Sequence, residues 1–172
     1  LEFCERERVD SFRDKMEEYP NLLLVRAFTK IFAIPGVRLG YLISANEALR
    51  EKIEKQLPEW NVSMFAQYAG VAAAKETDYV KKTVDFIRKE REFMMESLNE
   101  LKQISVFTSS KTNFLLLKSG LSLYDILLER QILIRSCRNY RGLGKDFYRV
   151  AVRSHSENEV LLHRLREVDM HC

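Results

Sequence analysis

From Asp78 to Leu101 the apolar residues Val80, Val84, Ile87, Met94, Leu98 and Leu101 fall on one stripe near a period of 3.6, while charged residues fill the remaining faces and Arg91 interrupts the row. This predicts the longest helix of the chain, and the patterns on its two sides differ. Before it, Leu22–Phe28 is a short apolar run of the kind that forms a buried strand, Pro35-Gly36 marks a sharp turn, and Val37–Ile43 reads as a second strand. Asn46 is placed to cap a helix in which Leu49, Ile53 and Leu57 recur every four residues before Pro58. The segment Val62–Lys75 is rich in small residues and is expected to pack closely against a neighbour. After Ile104 the period shortens. Ile104–Phe107, Asn113–Leu117, Ile132–Arg135 and Phe147–Arg153 read as strands, and Ser122–Arg130 as a helix. A last helix carries Val160, Leu161, Leu165 and Val168, with Ser156 and Glu159 as its capping box. This half is a small α+β domain whose sheet is covered on one face by helices.

Composition narrows the class. A chain of 172 residues, about half apolar and a third charged, is long enough to bury a core, and a net charge of +3 makes no case for a nucleic-acid or membrane partner. No stretch approaches the roughly 18 apolar residues of a membrane span, and the opening residues Leu1–Arg8 do not read as a signal peptide. Cys4, Cys137 and Cys172 are odd in number and widely spaced, which argues against a disulfide framework or a metal site and fits a reducing cytoplasm.

The residues with chemistry in them lie in two runs. The first is Arg26-Ala-Phe-Thr-Lys-Ile-Phe-Ala-Ile-Pro-Gly-Val-Arg-Leu-Gly-Tyr41, in which Lys30 stands between a strand and a proline-glycine turn, with Arg38 eight residues on. A lysine at the end of a buried strand is expected to be desolvated. Desolvation favours the neutral amine, which can attack a carbonyl. The run Thr-Lys-x-x-x-x-Pro-Gly-x-Arg-x-Gly-Tyr resembles the lysine motif of the fold-type I aminotransferases, which use pyridoxal 5'-phosphate. By that resemblance Lys30 carries the cofactor covalently, and Thr29 and Arg38 hold its phosphate. An arginine offers a rigid bidentate fork for such an anion and a threonine hydroxyl adds one short hydrogen bond. Many relatives have Ser or Thr three residues before the lysine, where this chain has Ala27, so one phosphate ligand is absent or replaced.

The second run is Ile132-Leu-Ile-Arg-Ser-Cys-Arg-Asn-Tyr-Arg-Gly-Leu-Gly144 with Phe147-Tyr-Arg-Val-Ala-Val-Arg153. Arg149 and Arg153 are an even number apart, so on one strand both side chains point to the same face, as suits an anionic ligand. The resemblance matches Arg149 to the residue that holds the substrate carboxylate. The loop and strand together are most similar to the threonine-phosphate decarboxylases of cobalamin biosynthesis and next to the histidinol-phosphate aminotransferases. Both act on phosphorylated substrates, which implies that Arg135 and Arg153 bind that phosphate, with Arg138 and Arg141 in the same loop. Asn113, Cys137 and His155 carry no legible chemistry and are expected to be structural or exposed.

The resemblance implies an α/β fold in three parts. Residues 1–76 are the C-terminal part of the large cofactor-binding domain, 77–102 the interdomain helix, and 103–172 the small domain. The Asp and the aromatic residue that meet the cofactor ring in relatives precede a stretch like Leu1-Glu-Phe-Cys4, so the chain is expected to cover about the C-terminal half of the family fold. The implied activity is decarboxylation of a phosphorylated amino acid or, alternatively, transamination, by a homodimer of the full-length protein. A chain standing alone would be an inactive fragment with large-domain surface exposed.

Overall fold

The computed structural model describes residues 3–4 and 12–170. The opening stretch Leu1–Arg8, apart from Phe3 and Cys4, and Cys172 lie outside the described residues. The chain divides into two compact units, with the boundary between Lys82 and Thr83.

In the first unit, β1 (Leu24–Ala27) and β2 (Gly40–Ile43) form an antiparallel pair, with Leu24 opposite Ile43 and Ala27 opposite Gly40. Between them lie a single helical turn, α1 (Phe28–Ile31), and a 3-10 turn over Pro35–Val37. Gly40 sits where the strands approach most closely: a Cβ there would lie 2.8 Å from the carbonyl oxygen of Arg26. The pair is continued by Ser44, whose hydroxyl donates to the carbonyl of Leu22 at 3.1 Å and accepts from the amide of Asn46 at 3.2 Å. Asn46 caps α2 (Glu47–Glu54) as expected, its Oδ1 accepting from the amide of Leu49 at 3.0 Å. Ser63 caps α3 (Met64–Lys75) in the same way. Only Ala66 and Ala73 of α3 are buried, and Gly70 lets it approach the Leu39 side chain. The close packing expected of this segment is thus confined to one stripe of small residues. Its large side chains, Met64, Phe65, Tyr68 and Val71, are exposed.

The long helix is α4 (Thr77–Asn99). Its second half belongs to the other unit, and there Ile87, Met94 and Leu98 are buried as the stripe predicts. Arg91 does not break the stripe. It is buried, and its guanidinium donates to the carbonyl of Thr112 at 3.3 Å. A sheet follows in the order β3-β4-β6-β5, antiparallel throughout, built from β3 (Ser105–Val106), β4 (Phe114–Lys118), β5 (Arg135–Ser136) and β6 (Phe147–Ala151). α5 (Leu123–Glu129) and α6 (His155–Met170) complete the domain. Alternation along β4 and β6 turns Leu115, Leu117, Tyr148 and Val150 inward, against Leu123 and Leu127 of α5 and Leu161, Leu162 and Leu165 of α6. Full burial of each such leucine contributes about 1.5–3 kcal/mol relative to exposure. The Asp169 carboxylate accepts from the amides of Lys102 and Gln103 and ties the end of α6 to the start of β3.

Three expectations shift. The third strand of the small sheet is Arg135–Ser136 and not Ile132–Arg135, since the residues before it turn out of the ladder. β6 ends at Ala151, so Arg153 lies beyond the strand, although it lines the same cavity as Arg149. The capping box of α6 is Ser154 with Glu157, two residues before the expected pair. The Glu157 carboxylate accepts from the amide of Ser154 at 3.3 Å and from its hydroxyl at 2.6 Å.

Candidate active site

Lys30 belongs to α1, the one turn of helix between β1 and the loop to β2. Its neighbours Thr29 and Ile31 are buried and Lys30 itself is exposed. The desolvated setting expected for it is therefore not what the described residues build. In this single turn the residues on either side of the lysine, Thr29 and Ile31, are packed while Lys30 is not. Phe28 and Phe32, four residues apart, stack at 5.6 Å between ring centroids and continue to Tyr41 and Tyr79. The aromatic row fixes the turn that presents the lysine. The Lys30 amine has no ion-pair partner among the described residues, and neither does the buried Thr29 hydroxyl have a hydrogen-bond partner among them.

Arg38 follows the 3-10 turn in the left-handed conformation, with φ 57° and ψ 42°. Ala33, in the same loop, is also left-handed at φ 53°. Such backbone costs a non-glycine residue about 1–3 kcal/mol and is concentrated at ligand-binding sites. The Arg38 guanidinium donates to the carbonyl of Pro35 at 3.1 Å and is otherwise open to solvent. Ala27, at the N-cap of α1, offers no side-chain cap. An anionic group carrying an aldehyde suits this set: an amine and an adjacent buried hydroxyl that have no partner among the described residues, and a guanidinium held by its own loop.

The second constellation lies in the small domain, around an open cavity of about 1340 Å³. Among the described residues its lining includes five cationic side chains, Arg135, Arg138, Arg149, Arg153 and Lys145, against the two carboxylates of Asp125 and Glu157. Arg141 is not in the lining. Arg135 of β5 and Arg149 of β6 are direct cross-strand partners. The Arg149 guanidinium stacks on the Phe114 ring at 4.1 Å and donates to the Tyr140 hydroxyl at 3.4 Å. Arg135 lies 5.8 Å from the centroid of the same Tyr140 ring and donates to Asn139 Oδ1 at 3.2 Å. Burial pushes the Cys137 thiol up, and the charges of Arg149 and Arg135 pull it partly back. Arg153, past the strand, pairs with Glu157 at 2.7 Å.

Sequence patterns missed the groups behind Arg153. Asn158 is buried; its amide nitrogen donates to Glu90 Oε2 at 2.9 Å and to the Arg153 carbonyl at 3.0 Å, and its oxygen accepts from the Arg153 amide at 2.9 Å. His155 Nδ1 lies 3.1 and 3.2 Å from the two Glu90 oxygens. One signal was available, because Asn158 occupies the apolar stripe of α6 with Leu161, Leu162 and Leu165, where a polar residue must find partners.

Comparison with known proteins identifies the family of the chain. The family model for aminotransferase class I and II matches residues 2–165, and the chain belongs to that family. It is 36% identical over 160 residues to a threonine-phosphate decarboxylase of Salmonella typhimurium, covering 91% of this chain and 44% of that protein. It is 37% identical over 171 residues to a histidinol-phosphate aminotransferase of Clostridium kluyveri, covering 98% and 46%. The crystal structure of the histidinol-phosphate aminotransferase from Clostridium acetobutylicum superposes with a TM-score of 0.88 at 36% identity, over 94% of this chain and 50% of that one. The fold is shared at 20% identity by the Sinorhizobium meliloti histidinol-phosphate aminotransferase, solved in complex with pyridoxal-5'-phosphate. The chain spans about half the length of the curated relatives it matches. No helix among the described residues is long and apolar enough to cross a membrane.

Proposed function

We propose that this chain contributes the lysine and substrate-anion halves of a pyridoxal-phosphate enzyme acting on a phosphorylated amino acid, with an activity like that of threonine-phosphate decarboxylase. The observation that carries this reading is the direct opposition of Arg135 and Arg149. Two guanidinium groups facing each other across a ladder repel, and a ligand with two anionic groups relieves that repulsion. Arg149 takes the carboxylate, since the Phe114 ring and the Tyr140 hydroxyl fix its orientation. Arg135, with Arg153 of the same lining, takes the phosphate. Lys30 holds the cofactor through Nζ, the Thr29 hydroxyl donates to the cofactor phosphate, and the Arg38 guanidinium neutralises it. When bound, pyridoxal phosphate supplies an electron sink for a bond broken at the substrate carbon. With the cofactor bound, the Lys30 amine would be the group of this chain available to carry a proton, through Nζ.

A second reading, transamination of histidinol phosphate, is favoured by the 37% identity to the Clostridium kluyveri enzyme and by the high TM-score of its Clostridium acetobutylicum counterpart. The preference for decarboxylation rests on the loop Ile134–Leu143 and its likeness to the decarboxylases. The protein works as a cytoplasmic homodimer in this proposal. The test uses the protein as encoded by its gene: threonine phosphate should release carbon dioxide. Transamination of histidinol phosphate with a keto acid, without such release, reverses the preference. Neither reaction, together with no borohydride-fixed adduct of pyridoxal phosphate on Lys30, rejects the enzyme reading in favour of a non-catalytic chain.

A further inference from the structure

Arg153 lines the cavity without being held in a strand, because β6 ends two residues earlier. Its backbone is nevertheless fixed on both sides by a single side chain. Asn158 accepts from the Arg153 amide at 2.9 Å and donates to the Arg153 carbonyl at 3.0 Å. The second donor hydrogen of Asn158 goes to Glu90 Oε2 at 2.9 Å, and His155 Nδ1 closes on both oxygens of the same carboxylate. The ring of Phe93 packs on His155 at 4.7 Å.

The arrangement is specific in a way that core packing does not require. Glu90 lies on the buried face of α4, with 11% of its side chain exposed, and a carboxylate there is costly unless hydrogen bonds replace its water. It has them, and they come from two residues of α6, His155 and Asn158, the second of which also brackets the Arg153 backbone. An amide side chain orients its oxygen and nitrogen correctly only if something distinguishes the two ends. Glu90, an acceptor alone, forces the Asn158 nitrogen inward and leaves the oxygen for the Arg153 amide.

We propose that Glu90 is a positioning residue for anion binding: through Asn158 and His155 it sets the junction between β6 and α6 and holds Arg153 at the cavity. Glu90 itself touches no anion. The inference rests on the anion-binding reading of the Arg135, Arg149 and Arg153 cavity and adds the residue that keeps its third cation in place.

The test is a mutant cycle on the protein as encoded by its gene, with inorganic phosphate as the probe and calorimetric titration as the measurement. The site in question is the one whose affinity Arg135→Gln reduces. Glu90→Ala should raise the phosphate Kd there roughly five- to tenfold, the scale of coupling within one hydrogen-bond network. In the Arg153→Gln background the same change should have no further effect. Glu90→Gln keeps an acceptor for Asn158 and should restore most of the affinity. His155→Ala removes a half-exposed side chain and serves the same cycle if Glu90→Ala does not fold. A Glu90 or His155 variant that melts earlier but binds phosphate as the parent does overturns the inference and leaves the cavity reading standing. Losses that multiply in the double variant also overturn it. Phosphate binding indifferent to Arg135→Gln overturns the cavity reading and this inference with it.

Discussion

Arg135 and Arg149 face each other across the β5–β6 ladder and converge on one aromatic side chain, Tyr140, the first by its ring and the second by its hydroxyl. Directly opposed like charges destabilise a sheet by about 0.2–1 kcal/mol. Arg135→Gln should therefore raise stability by a few tenths of a kcal/mol in low salt without phosphate. Added phosphate should stabilise the parent more than the variant. Denaturant melts with and without phosphate measure both effects, and a variant that responds to phosphate as the parent does contradicts the shared site.

Lys30 is exposed and has no ion-pair partner among the described residues, so Lys30→Ala should change stability by less than about 0.5 kcal/mol. It should nevertheless abolish covalent capture of pyridoxal phosphate. Peptide mass mapping after borohydride reduction checks this, and an undiminished adduct in the variant removes Lys30 from its proposed role.

Gly40 is pinned by its partner strand. Gly40→Ala places a methyl group 2.8 Å from the Arg26 carbonyl oxygen, and a backbone atom in a ladder cannot step aside. The expected loss is about 1–3 kcal/mol. Gly36→Ala meets nothing within 4 Å and should cost much less, so thermal melts of the two variants form an internal control.

The capping box of α6 gives the stability curve an acidic limb. The Ser154 hydroxyl and then the Arg153 guanidinium hold the Glu157 carboxyl below the usual carboxylate range. A group whose folded value is depressed adds stability above its unfolded value, and that contribution is lost as pH falls through the folded one. Stability should thus decline from about pH 4.5 downward. Ser154→Ala should flatten that limb, as read from urea midpoints across the acid range.

Much of the fold was legible because its signals are local. Asn46 caps the helix it precedes, and the stripe through Ile87, Met94 and Leu98 is buried as its period implies. The misplaced capping box has a local cause: Ser154-x-x-Glu157 and Ser156-x-x-Glu159 both satisfy the pattern, and only the structure shows which serine precedes the first helical residue. Long-range pairing was opaque. His155 and Glu90 are 65 residues apart, and Arg91 finds its acceptor at Thr112, so neither pattern nor spacing could join them. Lys30 was legible as chemistry through its motif and illegible as environment, since its exposure depends on what packs around one short turn.

Arg38 exposes a conflict between foldability and recognition. A left-handed residue after a 3-10 turn is where the chain alone would choose glycine. Arg38→Gly should make the loop more stable by up to about 1 kcal/mol while weakening its hold on phosphate, and paired melting and phosphate titration would show the two changes moving in opposite directions. In evolutionary terms the position is a sentinel: a descendant released from its anionic ligand has every thermodynamic reason to let this arginine drift to glycine, so the identity of that one residue reports whether the ligand still matters.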